Sequence, residues 1–136
     1  MIVLDASAIV AIFLREPERA LYLDLILKAK ARYISAVTFV ETGIVLEGRR
    51  GAVARHEVER FLERSAIEVV SVDAEQAVAA LNAWRTYGKG RHPVGLNLGD
   101  CFSYALAQST GEPLLAKGGD FAQTDLELCP QAPPAE

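Results

Sequence analysis

This chain of 136 residues has little of what most zinc sites and disulfide frameworks are made from. It contains two cysteines, Cys101 and Cys129, and two histidines, His56 and His92. These residues do not share the short spacings of zinc ligands, which excludes a Cys/His zinc site. We expect both cysteines to be free thiols in a reducing compartment, as is usual for cytosolic proteins.

The chain also lacks long apolar runs and an excess of basic charge. No apolar stretch approaches the ~18 residues of a membrane-spanning helix. The apolar N-terminus has no basic residue before it and is interrupted by Asp5, which excludes a secretion signal. The formal net charge of −4 excludes a surface that is basic throughout for nucleic acid. These absences predict a soluble, cytoplasmic protein without a membrane partner.

Short apolar runs alternate with amphipathic segments along the chain. The apolar runs predict strands at 2–4, 33–36, 67–72 and 114–116. The other segments predict helices at 7–15, 17–31, 37–50, 52–65, 73–87 and 100–109, with a glycine-rich loop at 88–99. Such alternation forms βαβ units, so the predicted fold class is α/β, with a parallel sheet covered on both faces. The length predicts one domain over 1–129 and a disordered tail at 130–136.

Four acidic residues follow the predicted strands or lie near the starts of helices: Asp5, Glu41, Asp100 and Asp120. Taken singly, each has a simple structural explanation. Asp5, Ser7 and Asp100 could be helix N-caps, Asp120 could belong to a turn, and Glu41 could be a partly exposed helix residue. The carboxyl ends of parallel strands lie at one edge of the sheet. We therefore expect at least three of these acids to share one site.

Carboxylates gathered in one cleft repel each other, and burial increases the repulsion. No Lys or Arg is adjacent in sequence to Asp5, Glu41 or Asp100, so a divalent cation is the natural counter-charge. Mg²⁺ and Mn²⁺ prefer oxygen ligands of this kind, and they serve in the hydrolysis of phosphate esters. The residues therefore predict a metal-dependent phosphoryl-transfer site.

The segments around these acids resemble the PIN-domain ribonucleases, and more narrowly the VapC-type toxins of bacterial toxin–antitoxin pairs. They read DAS at 5–7, SAVTFVE at 35–41, LNLGDCFSYALA at 96–107 and LLAKGGDFAQTDL at 114–126. The resemblance extends from Met1 to about Leu126. It implies a PIN-like three-layer α/β/α fold with a central, mostly parallel sheet of four to five short strands.

The resemblance also implies the chemistry. The family's acidic quartet, which binds Mg²⁺ or Mn²⁺, is matched by Asp5, Glu41, Asp100 and Asp120. Ser7 matches a hydroxyl residue that supports the first acid, and Thr38 matches a polar position that orients a ligand or water. The implied activity is endonucleolytic cleavage of RNA by a water that the metal activates, leaving a 5′-phosphate and a 3′-hydroxyl. The implied assembly is a homodimer inhibited by a small VapB-type antitoxin.

Basic residues near an acidic cleft are needed to attract RNA. Residues 82–95 contain no acid and closely precede Asp100. We predict that the RNA contacts of this segment are Arg85, Lys89 and Arg91. The other basic group, around Arg49, is equally well explained as a solvated helix end. Trp84 and Tyr87 are predicted to be core residues, and Asp125 a cap.

Two other classes of protein stay open on the residues alone. In a receiver domain, Asp73 would accept a phosphoryl group and Lys117 would contact it, although Glu41 and Asp100 would then have no role. The second alternative is a PIN-like module that binds RNA or a partner without cutting it. A dehalogenase-type phosphatase is disfavoured because DAS lacks a second aspartate.

Overall fold

The computed structural model describes residues 1–131, which contain four strands, six α-helices and a short 3₁₀ turn. The elements follow one another as β1 (Ile2–Leu4), α1 (Ala6–Phe13), α2 (Arg19–Lys28), β2 (Arg32–Ser35), α3 (Ala36–Arg50), α4 (Val53–Arg64), β3 (Ile67–Val70), α5 (Ala74–Tyr87), α6 (Leu98–Thr110), β4 (Leu114–Leu115) and the 3₁₀ turn Phe121–Gln123.

The four strands form a single parallel sheet in the order β3-β2-β1-β4. β1 lies in the interior, with Ile2 paired to Arg32 on one side and Val3 paired to Leu114 on the other. The prediction of an α/β fold with a parallel sheet of four to five short strands is confirmed.

Alternate residues of the central strands feed two separate cores. Ile2 and Leu4 point into a core formed mainly with α1, α2, α3 and α4, whereas Val3 and Leu114 point into a core formed with α5 and α6. This alternation is the two-residue period of a strand buried on both faces. The result is the three-layer α/β/α arrangement that the resemblance implies.

Several predicted boundaries differ from the structure for identifiable reasons. α6 begins at Leu98 rather than Asp100, because the Asn97 side chain accepts a hydrogen bond from the Asp100 N–H and serves as N-cap. β3 ends at Val70 rather than residue 72, because Val70 pairs with Ser35, the last residue of the neighbouring strand β2. α2 ends at Lys28, where Arg32 donates hydrogen bonds to the carbonyls of Ile26 and Leu27.

The predicted tail at 130–136 lies mostly outside the described residues. Pro130 and Gln131 are described, and the Gln131 side chain accepts a hydrogen bond of 3.3 Å from the Tyr22 hydroxyl. Within residues 1–131, no helix combines the length and apolarity needed to cross a membrane.

Candidate active site

The site lies where the strand order changes direction. From β1 the chain continues to β2 on one side of β1, while β4 returns on the other side. In open parallel sheets, such a switch point leaves a crevice beyond the carboxyl ends of the strands. Asp5 is the first residue after β1 and its side chain is only 2% exposed. The fold therefore places a buried carboxylate at the position where ligands of α/β proteins bind.

Both oxygens of Asp5 accept hydrogen bonds. Oδ2 accepts from the backbone N–H of Ser7 at 3.0 Å and from the Ser7 hydroxyl at 2.7 Å, and Oδ1 accepts from the Ser103 hydroxyl at 2.6 Å. Asp5 is thus the N-cap of α1 as well as a member of the acidic site. The cap interpretation is confirmed for this residue, and capping leaves its carboxylate at the switch point.

Thr38 contacts Ser103 of α6. It is fully buried in α3, and its hydroxyl lies 2.9 Å from that of Ser103. Ser103 is absent from the residues predicted from the sequence, because it is 98 positions from Asp5 and 65 from Thr38. One signal was available: Ser103 follows Asp100 by three positions in a helix, so the two side chains share a face.

Glu41 extends from α3 towards the start of α6. Burial, and after it the negative charges of Asp5 and Asp100, raise the pKa of this carboxyl to about 7. A β-carbon at Gly99 would overlap both carboxylate oxygens of Glu41. Because residue 99 has no β-carbon, the Glu41 carboxylate can lie against the first turn of α6.

Asp100 is the third residue of α6 rather than its N-cap. It completes a capping box, in which its Oδ2 accepts from the Asn97 N–H at 3.0 Å. Its pKa is raised to about 6, mainly by burial; the Asn97 N–H lowers it, and the charges of Asp5 and Asp120 raise it. The cap role predicted for Asp100 therefore belongs to Asn97.

Asp120 lies on the exposed loop that follows β4, at the start of the 3₁₀ turn. Its charge reaches Asp100, so the loop places it at the rim of the site. Asp125 is not a cap: its Oδ1 accepts a hydrogen bond from the Tyr104 hydroxyl of α6. Burial and this bond raise the pKa of Tyr104. Asp125 thereby attaches the C-terminal segment to α6.

The acidic site combines oxygen donors with electrostatic strain. Asp5, Glu41 and Asp100 come from three different parts of the fold. Burial raises the pKa values of Glu41 and Asp100, and the charges of neighbouring carboxylates add to both shifts. A divalent cation bound between these oxygens would relieve that repulsion, so the donor set fits Mg²⁺ or Mn²⁺. Within residues 1–131, no three acidic, His or Cys side chains are already gathered closely enough to form an ion site.

The predicted RNA-contacting residues lie at the end of α5 and in the loop after it. Arg85 is in the last turn of α5, and Lys89 borders an apolar hollow with Asn97 and Leu98. The Arg91 guanidinium lies 4.6 Å from the centre of the Trp84 ring. The core prediction for Trp84 is wrong, because this side chain is 37% exposed and supports Arg91 instead.

The receiver-domain alternative does not fit the topology. Asp73 follows β3 and caps α5 by accepting from the Gln76 N–H at 2.8 Å. Lys117 follows β4, where it pairs with Glu16 and Glu18. Because β3 and β4 are the two edges of the sheet, roughly 14 Å of sheet separates them. Lys117 cannot contact a phosphate on Asp73.

Comparison with known proteins identifies the family of this chain. The sequence model of the PIN domain matches residues 2–127. Ribonuclease VapC of Mycolicibacterium smegmatis is 48% identical over 124 residues, which make up 91% of this chain and 96% of that protein. Ribonuclease VapC30 of Mycobacterium tuberculosis is 46% identical over 124 residues, 91% of this chain and 95% of that protein.

Solved structures share the fold. VapC20 of Mycobacterium tuberculosis, described as a sarcin–ricin loop cleaving toxin, superposes with a TM-score of 0.76 at 20% identity and covers 98% of this chain and 100% of that chain. A toxin–antitoxin complex from Klebsiella pneumoniae gives a TM-score of 0.71 at 17% identity, covering 92% and 93%. The PIN match spans nearly the whole chain and the VapC relatives cover most of it, so this chain belongs to the PIN-domain family, in the group of the VapC ribonucleases.

Proposed function

We propose that this chain is a divalent-metal-dependent endoribonuclease and the toxin of a VapBC-type toxin–antitoxin pair, acting in the cytoplasm. VapC ribonucleases of the PIN family depend on a divalent metal ion. One observation carries the proposal: carboxylates from three parts of the fold face the switch point near enough for their charges to act on one another. Burial, together with the neighbouring carboxylates, raises the pKa of Glu41 to about 7 and that of Asp100 to about 6.

The chain's own residues divide the work at the site. Asp5 and Asp100 would hold Mg²⁺ or Mn²⁺ most firmly. Glu41 would hold the ion or orient the attacking water. Asp120 would contribute a metal ligand from the exposed loop. Ser7 holds Asp5 through its hydroxyl and its N–H. A bound ion of this kind lowers the pKa of water and stabilises charge on the leaving oxygen. We propose that Mg²⁺ is the ion used in the cell and that Mn²⁺ can replace it.

Cleavage of total RNA is the experiment that tests the proposal. The purified chain would be incubated with RNA in Mg²⁺, in Mn²⁺ and in EDTA, together with Asp5→Asn and Asp100→Asn. We expect cutting that needs metal and is abolished in both variants. Asp73→Asn serves as the control and should cut like the wild type. A folded, metal-binding chain that cuts no RNA would indicate the non-catalytic binding module instead.

We propose that Arg85, Lys89 and Arg91 contact RNA phosphates. Stacking on Trp84 leaves the edge of the Arg91 guanidinium available as a fork of donors. Removing one phosphate contact by substitution should reduce the magnitude of the slope of log affinity against log salt by about 0.7 for single-stranded RNA. Binding would be measured in EDTA on an Asp100→Asn background, so that no RNA is cut. Arg49→Ala is the control, and an unchanged slope in Arg91→Ala would count against this contact.

We propose that the antitoxin docks through an acidic amphipathic segment on a groove between α1, α2 and α4. Phe13 and Phe61 pack edge to face on its floor, with ring centres 5.5 Å apart, and Glu57 is the acidic residue that lines it. The rim of this groove is basic and contains Arg15, Arg19, Arg50, Arg60 and Arg64. Such a rim is complementary to acidic side chains beside an apolar seam.

Charge reversal tests the groove. Arg60→Glu combined with Arg64→Glu should weaken antitoxin binding at least tenfold, as measured by calorimetry. Arg55→Glu changes the same helix outside the groove, where Arg55 pairs with Glu59, and should have little effect. Equal losses in both proteins would mean that only net charge matters.

We propose that a second copy of the chain covers the apolar face between α3 and α5. Leu98 is 74% exposed and joins two hollows, one lined by Val40 and Ile44 and the other by Leu81 and Trp84. Contiguous apolar surface of this kind is unusual on a monomer and typical of an interface. Ile44→Glu with Leu81→Glu should convert a dimer to a monomer in light scattering, whereas Leu27→Glu, also exposed but on α2, should not.

A further inference from the structure

We propose that Ser103 is a positioning residue that sets the spacing of the acidic site, acting through a hydroxyl relay from Thr38 to Asp5. The inference rests on the proposed metal-dependent function and assigns a role to a residue outside the acidic quartet. Ser103 is fully buried in α6. Its hydroxyl contacts Asp5 and Thr38, which belong to two other parts of the fold.

The number of hydrogens that each hydroxyl can donate determines which residue is the donor in each hydrogen bond of the relay. A serine hydroxyl has one hydrogen to donate, whereas a carboxylate oxygen accepts. Ser103 donates its hydrogen to Asp5 Oδ1 at 2.6 Å. The 2.9 Å contact between Ser103 and Thr38 therefore requires Thr38 to be the donor. The order of donation is Thr38 to Ser103 to Asp5.

The relay lies one helical turn from the acids on each of two helices. Thr38 precedes Glu41 by three positions in α3, and Ser103 follows Asp100 by three positions in α6. Residues three apart in a helix share a face. The hydrogen bond between the two hydroxyls therefore ties α3 to α6 beside the acids, while its extension to Asp5 ties both helices to β1.

A second relay holds the other oxygen of Asp5 and shows what is special about Ser103. The Lys117 N–H donates to the Ser7 hydroxyl at 2.9 Å, and Ser7 donates to Asp5 Oδ2 at 2.7 Å. That relay joins α1 to the segment after β4, which carries Asp120 but neither Glu41 nor Asp100. The Ser103 relay connects the parts of the fold that carry Asp5, Glu41 and Asp100. Removing its oxygen should therefore loosen the metal site as a whole.

Binding of Mn²⁺ to the RNA-free chain, measured by calorimetry, separates positioning from simple packing. Residues that orient metal ligands typically contribute 10- to 100-fold to metal affinity, and we expect Ser103→Ala to lose affinity in this range. The turnover number for RNA should fall while the Michaelis constant changes little. Ser109→Ala removes an exposed serine from the same helix and should bind Mn²⁺ like the wild type.

A second variant covers the case in which Ser103→Ala does not fold. Thr38→Val keeps the shape of the side chain and removes only the first donor of the relay. We expect it to lower Mn²⁺ affinity severalfold, which is less than the loss in Ser103→Ala. Thr38→Ser, which keeps the hydroxyl, should bind Mn²⁺ like the wild type. Wild-type Mn²⁺ affinity in a folded Ser103→Ala chain, or in Thr38→Val, overturns the inference even if the melting temperature falls. A wild-type chain that binds no Mn²⁺ overturns the proposed metal dependence together with this inference.

Discussion

Glu41 and Gly99 meet so closely that the carboxylate of one occupies the space where the other would carry a side chain. A β-carbon built on Gly99 overlaps both oxygens of Glu41. The contact joins α3 to the first turn of α6, the turn that also carries Asp100. The absence of a side chain at residue 99 is therefore part of the acidic site.

Gly99→Ala should displace the Glu41 carboxylate and leave the fold intact. The overlap falls on the end of a flexible side chain, which can rotate away at small cost to stability, but a catalytic group moved by about 1 Å can lose 10²-fold in rate. We expect cleavage to fall by about that factor with an unchanged circular dichroism spectrum. Gly43→Ala is the matched control, because a β-carbon there meets nothing within 4 Å. Wild-type cleavage by Gly99→Ala would show that Glu41 needs no fixed position.

The metal-free chain should lose stability as the pH rises from about 4.5 to 7. The pKa of Glu41 is raised from 4.5 to about 7 by burial first and then by the neighbouring charges. Because the folded chain then holds a proton that the unfolded chain has released, unfolding becomes easier across this range. Solvent screening reduces the effect, so we expect a loss on the order of 1 kcal/mol.

Urea unfolding at pH 5 and pH 8 in EDTA measures this dependence. Glu41→Gln should be more stable than the wild type at pH 8 and show a smaller difference between the two pH values. Glu47→Gln changes an exposed acid of the same helix and serves as the control. Addition of Mn²⁺ at pH 8 should return the free energy of unfolding of the wild-type protein towards its value at pH 5. A pH dependence that is identical in Glu41→Gln would assign the effect to other groups.

Asn97→Ala should destabilise α6 by about 1 kcal/mol, the usual cost of losing an N-cap. The Asn97 side chain accepts from the Asp100 N–H at 2.9 Å, and alanine cannot. Asn97→Ser keeps a cap oxygen and should be nearly as stable as the wild type. Asn82→Ala, at an exposed position inside α5, should be neutral or slightly stabilising. Thermal unfolding of the three variants checks this order.

Lys117→Ala should leave RNA cleavage largely intact, because the contribution of Lys117 to the site comes from its backbone. Its N–H donates to Ser7 at 2.9 Å, and any residue except proline supplies that donor. The side chain pairs with Glu16 and Glu18 and should affect only the melting temperature, by an amount that shrinks at high salt. Ser7→Ala, which removes a donor to Asp5, should impair cleavage. A large loss of cleavage in Lys117→Ala would place its ammonium group on the RNA.

The pattern of apolar residues accounts for most of the fold. Short runs such as IVL at 2–4 and IEVV at 67–70 satisfy their backbone hydrogen bonds by pairing with another strand. The amphipathic segments between them must then cover both faces of the resulting sheet. The missed boundaries depend on partners elsewhere in the chain. β3 ends because β2 ends beside it, and α2 ends where Arg32 reaches back to its carbonyls.

The sequence by itself determined the fold class and the family and predicted four acids for the site, because hydrophobic period, strand-end position and local motif are all encoded in neighbouring residues. Only the tertiary structure revealed that Asn97 rather than Asp100 caps α6, that Trp84 is exposed beneath Arg91, and that Ser103 connects Thr38 to Asp5. The contacts of Ser103 join residues 65 and 98 positions apart, and even the nearer pairs depend on where the loop before α6 places its side chains. Such contacts follow from the packing of helices against the sheet, which no local pattern specifies.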